Sequence, residues 1–247
     1  MTKLSGRQPR RRRIWPVVLL LMMGLPPVGF CLWIASLGLE IGGPSRCYGS
    51  VANGRLEGGR RLPYSGANYR AYSLLGFLAG RTFMHQSVRD TVLAAYGELH
   101  ERHPELRFLY AETGWPWGGR FAPHRTHANG TSVDFHVPVR TLAGEVAELP
   151  ASVFNKLGYS IAFDRAARSG EYQIDFEALA LHLQALDRAA RQHGISVARV
   201  IFEPRLQPRL FATKAGAQIS RSLSFNKRPV WVPHDQHYHV DFNVPCG

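Results

Sequence analysis

The chain has 247 residues, 45% of them hydrophobic and 11% aromatic, which is enough apolar material for one sizeable core and excludes a disordered polymer. Three cysteines exclude a disulfide-dense miniprotein and a structural zinc site built on paired Cys-x-x-Cys motifs. A formal charge of +12 invites a nucleic-acid reading, but six of the cations (Lys3, Arg7, Arg10, Arg11, Arg12 and Arg13) precede residue 14.

Setting those six aside, 24 basic residues face 18 acidic ones. A surplus of +6 suits an anionic polymer of any kind, and no nucleic-acid reader motif accompanies it. Residues 14–39 then run for 26 positions without a charge. About 20 apolar residues span a bilayer, and arginines before the run place its start in the cytoplasm. The expected organisation is a basic cytoplasmic tail over 1–13, a transmembrane anchor or signal segment over 14–39, and an exported domain over 40–247. A cleaved signal is the alternative, although no Ala-x-Ala site follows the run. Cys31 falls inside the run, leaving Cys47 and Cys246 at the two ends of the exported domain. In an oxidising compartment that placement reads as a disulfide contributing ~5 kcal/mol on the chain-entropy account. Two free thiols are the other reading.

Residues 40–70, rich in Gly, Ser, Asn and Arg, read as irregular loop. Over residues 86–103, Val88, Val92, Ala95, Tyr96 and Leu99 share one helical face, and Pro104 closes the helix. A strand follows over 106–111, then a Gly/Pro/Trp/His loop over 114–130 and a second strand over 132–139. Residues 175–193 form the clearest helix, N-capped by Asp175 and ended by Gly194. A strand over 197–202, a helix over 205–216 and an alternating strand over 237–244 complete the pass. Strands and helices do not alternate as in a doubly wound sheet. The fold class is therefore α+β, a mainly antiparallel central sheet flanked by helices and preceded by one N-terminal transmembrane segment.

Five of the eleven histidines gather at two loop–strand junctions: His124 and His127 before Asp134, and His234, His237 and His239 at the last strand. Imidazole nitrogen and carboxylate oxygen are the ligands zinc takes where thiolates are absent, and a catalytic ion keeps one position open. His237 and His239 lie two apart on a strand and so share a face. One can hold a metal while the other reaches the reacting water. The Gly-containing loop can bring His127 back beside Asp134. His100-Glu101-Arg102-His103 falls one residue short of His-Glu-x-x-His, and Ser224-Phe225-Asn226-Lys227 has no Lys-Thr-Gly downstream. Trp115 and Trp117 could line a groove or simply pack the loop. Arg120 and Arg125 could meet substrate carboxylates or lie in solvent.

His127-x6-Asp134 with His237-Tyr238-His239 resembles the zinc peptidases grouped with lysostaphin, D-alanyl-D-alanine peptidases and sonic hedgehog. Together with Gly49-Ser-Val-Ala-Asn-Gly54, Arg61-Leu-Pro63 and Ile201-Phe-Glu-Pro-Arg-Leu206, the chain resembles the penicillin-insensitive murein endopeptidases over most of residues 47–247. That resemblance implies Zn2+ held by His127, Asp134 and His239. It also implies His237 as general base, His234 beside the reacting water, and His124 at a position that holds a second metal in some members. Thr126-His127-Ala128-Asn129-Gly130 departs from the family's Ser-His-Gln-x-Gly. The implied partner is peptidoglycan, with its cross-linked peptide stems, and the implied place is the periplasm, anchored in the inner membrane. A D-alanyl-D-alanine dipeptidase or carboxypeptidase of the same fold, and a non-catalytic zinc or cell-wall binding module, are the competing functions. Neither the bond cut nor the oligomeric state is legible in the sequence.

Overall fold

Two long helices form where apolar spacing demands them. Helix α2 (Gln86–Arg102) buries Val88, Val92, Ala95, Tyr96 and Leu99, and ends with His103 ahead of Pro104. Helix α3 (Phe176–Gln192) starts where the Asp175 carboxylate accepts the Ala178 N–H, and Gly194 at φ 71° follows its end. The two helices pack on one another and on the apolar face of the main sheet. The computed structural model describes residues 43–247. The basic tail and the apolar run over 14–39 lie outside the described residues. Among the described residues no helix is long and apolar enough to cross a membrane.

The strands are β1 (Arg46–Gly49), β2 (Gly54–Glu57), β3 (Arg60–Arg61), β4 (Tyr69–Ala71), β5 (Phe83–Met84), β6 (Phe108–Tyr110) and β7 (Ser132–His136), then β8 (Val139–Thr141), β9 (Val146–Ala147), β10 (Arg168–Ser169), β11 (Tyr172–Ile174), β12 (Ser196–Ile201) and β13 (His237–Asn243). The main sheet has the order β12-β13-β7-β6-β4 and is antiparallel except for the β4–β6 pair. The architecture is α+β, as the pattern of elements indicates. Alternation gives the central strands two unlike faces. Val133, Phe135, Tyr238, Val240 and Phe242 point into the core. Ser132, Asp134 and His136 on β7, and Asp241, His239 and His237 opposite them on β13, make the other face polar. All six polar residues are buried, so that face is roofed by loops rather than open to water.

Four expectations shift in detail. Within 40–70, expected to be irregular loop, β1 and β2 form a hairpin in which Cys47 faces Leu56. Its turn is held by the Asn53 N–H on the Ser50 hydroxyl, with Gly49 at φ 69°. The strand over 106–111 contracts to β6. The strand over 132–139 stops at His136, because Pro138 has no N–H for a ladder, and β8 instead joins a small sheet of order β10-β11-β8-β9. The helix over 205–216 divides into α4 (Gln207–Phe211) and α5 (Gly216–Ser222). The Thr213 hydroxyl takes the Leu210 carbonyl and the Gly216 N–H, closing the first turn and opening the second. A short helix α1 (Leu74–Leu78), capped by Ser73, lies in a stretch without a periodic signal.

Cys47 and Cys246 are disulfide-bonded across a sequence separation of 199. Beside the bridge, the Gly247 N–H donates to the Cys47 carbonyl at 3.0 Å and the Gly49 N–H to the Gly247 carbonyl at 3.1 Å. The end of the chain is thereby sewn to the first hairpin.

Candidate functional site

The loop that carries His127 is bent back onto β7 by local backbone choices. His127 itself sits at φ 70°, a conformation costing on the order of 1–2 kcal/mol for a residue with a Cβ. Gly114, at φ 147°, faces the His127 carbonyl so closely that a Cβ there would lie 2.9 Å from its oxygen. Buried ring contacts and hydrogen bonds hold the bend. His127 Nδ1 lies 3.1 Å from the Thr113 carbonyl and 3.3 Å from the Ser132 carbonyl. Two carbonyls can only accept, so Nδ1 carries the hydrogen and Nε2 presents a lone pair. That Nε2 is fully buried and makes no hydrogen bond. It stands 3.3 Å from Asp134 Oδ1.

Register brings the third group. Asp134 on β7 lies directly opposite His239 on β13, and His239 Nδ1 is 2.8 Å from the same Oδ1. The far nitrogen, His239 Nε2, bonds Asp241 Oδ1 at 2.7 Å. The other Asp134 oxygen accepts the Tyr159 hydroxyl at 3.0 Å. His127 Nε2, Asp134 Oδ1 and His239 Nδ1 therefore converge, each oriented from behind by a hydrogen bond. Ligands around a tetrahedral zinc stand about 3.3 Å apart for bonds of 2.0–2.1 Å. The two separations from Asp134 Oδ1 and the orphaned Nε2 suit that donor set.

Electrostatics agree. Burial alone would lower the His239 pKa, but the Asp241 and Asp134 carboxylates outweigh it and push the ring up to about 10. Burial would likewise raise Asp134, yet His127, His239 and His237 hold it well below the usual carboxylate range. Two buried carboxylates around one imidazole call for positive charge at this spot.

His124 enters from the opposite side. Its Nδ1 lies 3.6 Å from Asp134 Oδ2, and its Nε2 bonds Glu112 Oε2 at 2.5 Å. The ligand atoms of His124, His127 and Asp134 all fall within 4.8 Å of one another, so these three side chains alone could hold an ion. Glu112 is anchored in turn by the Tyr72 hydroxyl at 2.9 Å and by the Arg81 guanidinium. Burial would raise the Glu112 pKa, but His124 and Arg81 pull it down to about 2.

His237 shares the face of His239, as a strand period of two requires. Its Nε2 is 3.9 Å from Asp134 Oδ2, its Nδ1 is buried without a hydrogen bond, and its ring lies tilted at 37° against His234, 4.4 Å between centroids. His234 Nδ1 is fixed by the Val232 carbonyl at 2.9 Å. Burial is the leading cause that lowers the pKa of both rings. Both are therefore neutral at neutral pH. The six residues singled out from the sequence thus meet at one place. All but the fully buried His127 border a cavity of about 610 Å³, whose walls include Ile161, Ile201, Trp231, Arg125 and Lys156.

Neither Trp115 nor Trp117 lines that cavity. Trp115 packs edge-on against Phe121 at 5.2 Å, and Trp117 lies outside, 64% exposed. Arg125 does line it, with its guanidinium 5.0 Å over the Trp231 ring, whereas Arg120 does not. His100, Glu101 and Arg102 end α2 in solvent. Sequence reasoning missed Glu112, Tyr159 and Asp241. Asp241 carried a signal, two residues beyond His239 on an alternating strand. Glu112 and Tyr159 carried none, because only tertiary folding brings them to Asp134 and His124.

Residues 47–247 match the family described as penicillin-insensitive murein endopeptidase, and the chain belongs to that family. No curated protein matches it.

Proposed function

We propose that this member of the penicillin-insensitive murein endopeptidases is a zinc-dependent peptidase that hydrolyses D-amino-acid cross-links of peptidoglycan. It would do so in the periplasm, held at the inner membrane by residues 14–39. Family membership supports a murein endopeptidase and a periplasmic setting. The observation that carries the zinc reading is the convergence of the unbonded His127 Nε2 with Asp134 Oδ1 and His239 Nδ1. An ion held there supplies a Lewis acid for the scissile carbonyl and makes water a stronger acid, with a pKa near about 7.

The chain's own groups do the rest. His237, neutral and beside Asp134, accepts a proton from the attacking water and returns it to the departing amine. His234, packed against His237 and pinned by the Val232 carbonyl, keeps that ring in place and faces the cavity. Tyr159 orients Asp134 through its hydroxyl. No serine nucleophile takes part, so penicillin has nothing to acylate.

The test is digestion of purified peptidoglycan by the full chain, with and without chelator, followed by mass analysis of the fragments. Release of cross-linked dimers into monomers, abolished by chelator and restored by zinc, is the expected result. Loss of only a terminal D-alanine would replace the endopeptidase reading with a carboxypeptidase. His237→Ala should keep the metal and slow cleavage by roughly 10²–10⁴-fold, the range for a general base. Asp134→Ala should lose most of the metal. A His237→Ala protein that cuts at the parental rate would refute the assignment of the base.

A further inference from the structure

Asp241 is a buried carboxylate with four donors around it. Its Oδ1 accepts the Ser132 hydroxyl at 2.7 Å and faces His239 Nε2 at 2.7 Å; its Oδ2 accepts Arg199 Nε at 3.0 Å and Nη2 at 2.6 Å. The backbone explains the meeting. Asp241 stands opposite Ser132 on β7 and opposite Arg199 on β12, and two residues along the same face from His239. Strands on both sides thus fix the carboxylate before any metal binds.

We propose that Asp241 is a positioning residue for the metal centre, setting the tautomer in which His239 can bind an ion. The inference rests on the zinc reading above. Flanked by two carboxylates, metal-free His239 holds both protons; it must give one up to bind an ion, and the neutral ring then has two choices. With the hydrogen on Nε2, it donates to Asp241 and turns the Nδ1 lone pair toward His127 Nε2 and Asp134 Oδ1. With the hydrogen on Nδ1, it donates to Asp134 Oδ1 at 2.8 Å, and two would-be ligand atoms are consumed in one hydrogen bond. That second tautomer sets a lone pair on Nε2 against the Asp241 oxygen at 2.7 Å, acceptor against acceptor, just as the first sets Nδ1 against Asp134 Oδ1 at 2.8 Å until an ion comes between them. Asp241 therefore cancels the advantage that the closed arrangement would otherwise have, so that an ion between Nδ1 and Asp134 Oδ1 can select the open one. Ser132 and Arg199 keep the carboxylate from swinging away. A purely structural Arg199–Asp241 ion pair would leave the tautomer of His239 untouched.

Zinc affinity of the full chain, measured by competition with a chromophoric chelator, tests this without reference to any substrate. Asp241→Ala should weaken zinc binding by roughly 10–100-fold, the usual effect of removing the partner of a ligating histidine. Long-range proton–nitrogen NMR of histidine-labelled, metal-free Asp241→Ala, taken at a pH where the His239 ring is neutral, should show its hydrogen on Nδ1. Arg199→Ala leaves the carboxylate on His239 and should change the affinity by less than about fivefold, short of the full partner loss. Should Asp241→Ala not fold, Asp241→Asn supplies the same readouts: its neutral amide is a weaker partner, and a loss of about tenfold is expected. Unchanged affinity in the folded variant, or a hydrogen that stays on Nε2, overturns the proposal while leaving the zinc reading intact. A parent chain that binds no zinc overturns both.

Discussion

His182 gives the core an acid-sensitive point that its neighbours expose to measurement. The ring lies on α3 with no solvent exposure, stacked on Tyr96 and Phe108 at 5.0 Å each and edge-on to Phe135 at 4.7 Å. Its Nδ1 accepts the Tyr238 hydroxyl at 2.5 Å, and its Nε2 has no partner. Burial pushes its pKa down to about 3. A folded pKa below the unfolded value of about 6.5 means that the unfolded chain binds the extra proton. The ring therefore has no effect on stability well above pH 6.5, and it destabilises increasingly as pH falls from there toward about 3. At 1.36 kcal/mol per unit, the loss attributable to this group by pH 5 is about 2 kcal/mol. His182→Phe removes that loss but orphans the Tyr238 hydroxyl, costing about 1–3 kcal/mol at every pH. Relative to the parent, the variant should thus be less stable at pH 7.5 and recover about 2 kcal/mol of the difference by pH 5. The double replacement His182→Phe with Tyr238→Phe removes both partners and should shed most of the constant cost. Urea unfolding of chelated, disulfide-intact protein at the two pH values reads the difference. Other buried histidines contribute a slope common to parent and variant, which cancels. Parallel pH profiles for parent and variant would refute a neutral, proton-excluding His182.

Replacing Cys47 and Cys246 by Ser should cost about 5 kcal/mol on the chain-entropy account for a closed loop of this length, read as a lowered urea midpoint; thiol labelling of unreduced native protein should find neither cysteine. Tyr159→Phe removes the hydroxyl from Asp134 and should weaken zinc binding by roughly tenfold, with denaturant stability changed by less than about 1.5 kcal/mol, as measured by chelator competition and urea unfolding.

What could be read from the sequence was whatever periodicity or spacing encodes locally. The helices over 86–102 and 176–192 were legible because their apolar residues recur on one face and their ends carry Pro104, Asp175 and Gly194. The last strand was legible because His237, His239 and Asp241 alternate with Tyr238, Val240 and Phe242. The same alternation put His237 beside His239, and the register with β7 then put Asp134 opposite His239, a pairing that no single-strand pattern encodes. The hairpin over 46–57 was obscured because turn residues dominate a stretch whose strands are four residues each. Glu112 was invisible for a different reason: it follows a short buried strand and gains its meaning only from Arg81, Tyr72 and His124, which lie 12 to 40 positions away. Tyr159 lies 25 positions from Asp134, beyond a turn where Lys156 and Leu157 both take left-handed conformations. The Asn155 side chain closes that turn by accepting the Ser152 and Gly158 N–H groups, each at 2.8 Å. A Cβ at residue 158 would lie 2.6 Å from the His136 ring, so Gly158 is what lets the turn close against the polar face of the sheet. Asp134 and His239 could be singled out from the sequence because they sit on strands, and His127 through its spacing from Asp134, although it lies on the loop before β7. Of the groups that aim them, Asp241 lies on β13 itself, whereas Glu112 and Tyr159 come from loops, whose positions depend on contacts with distant parts of the chain.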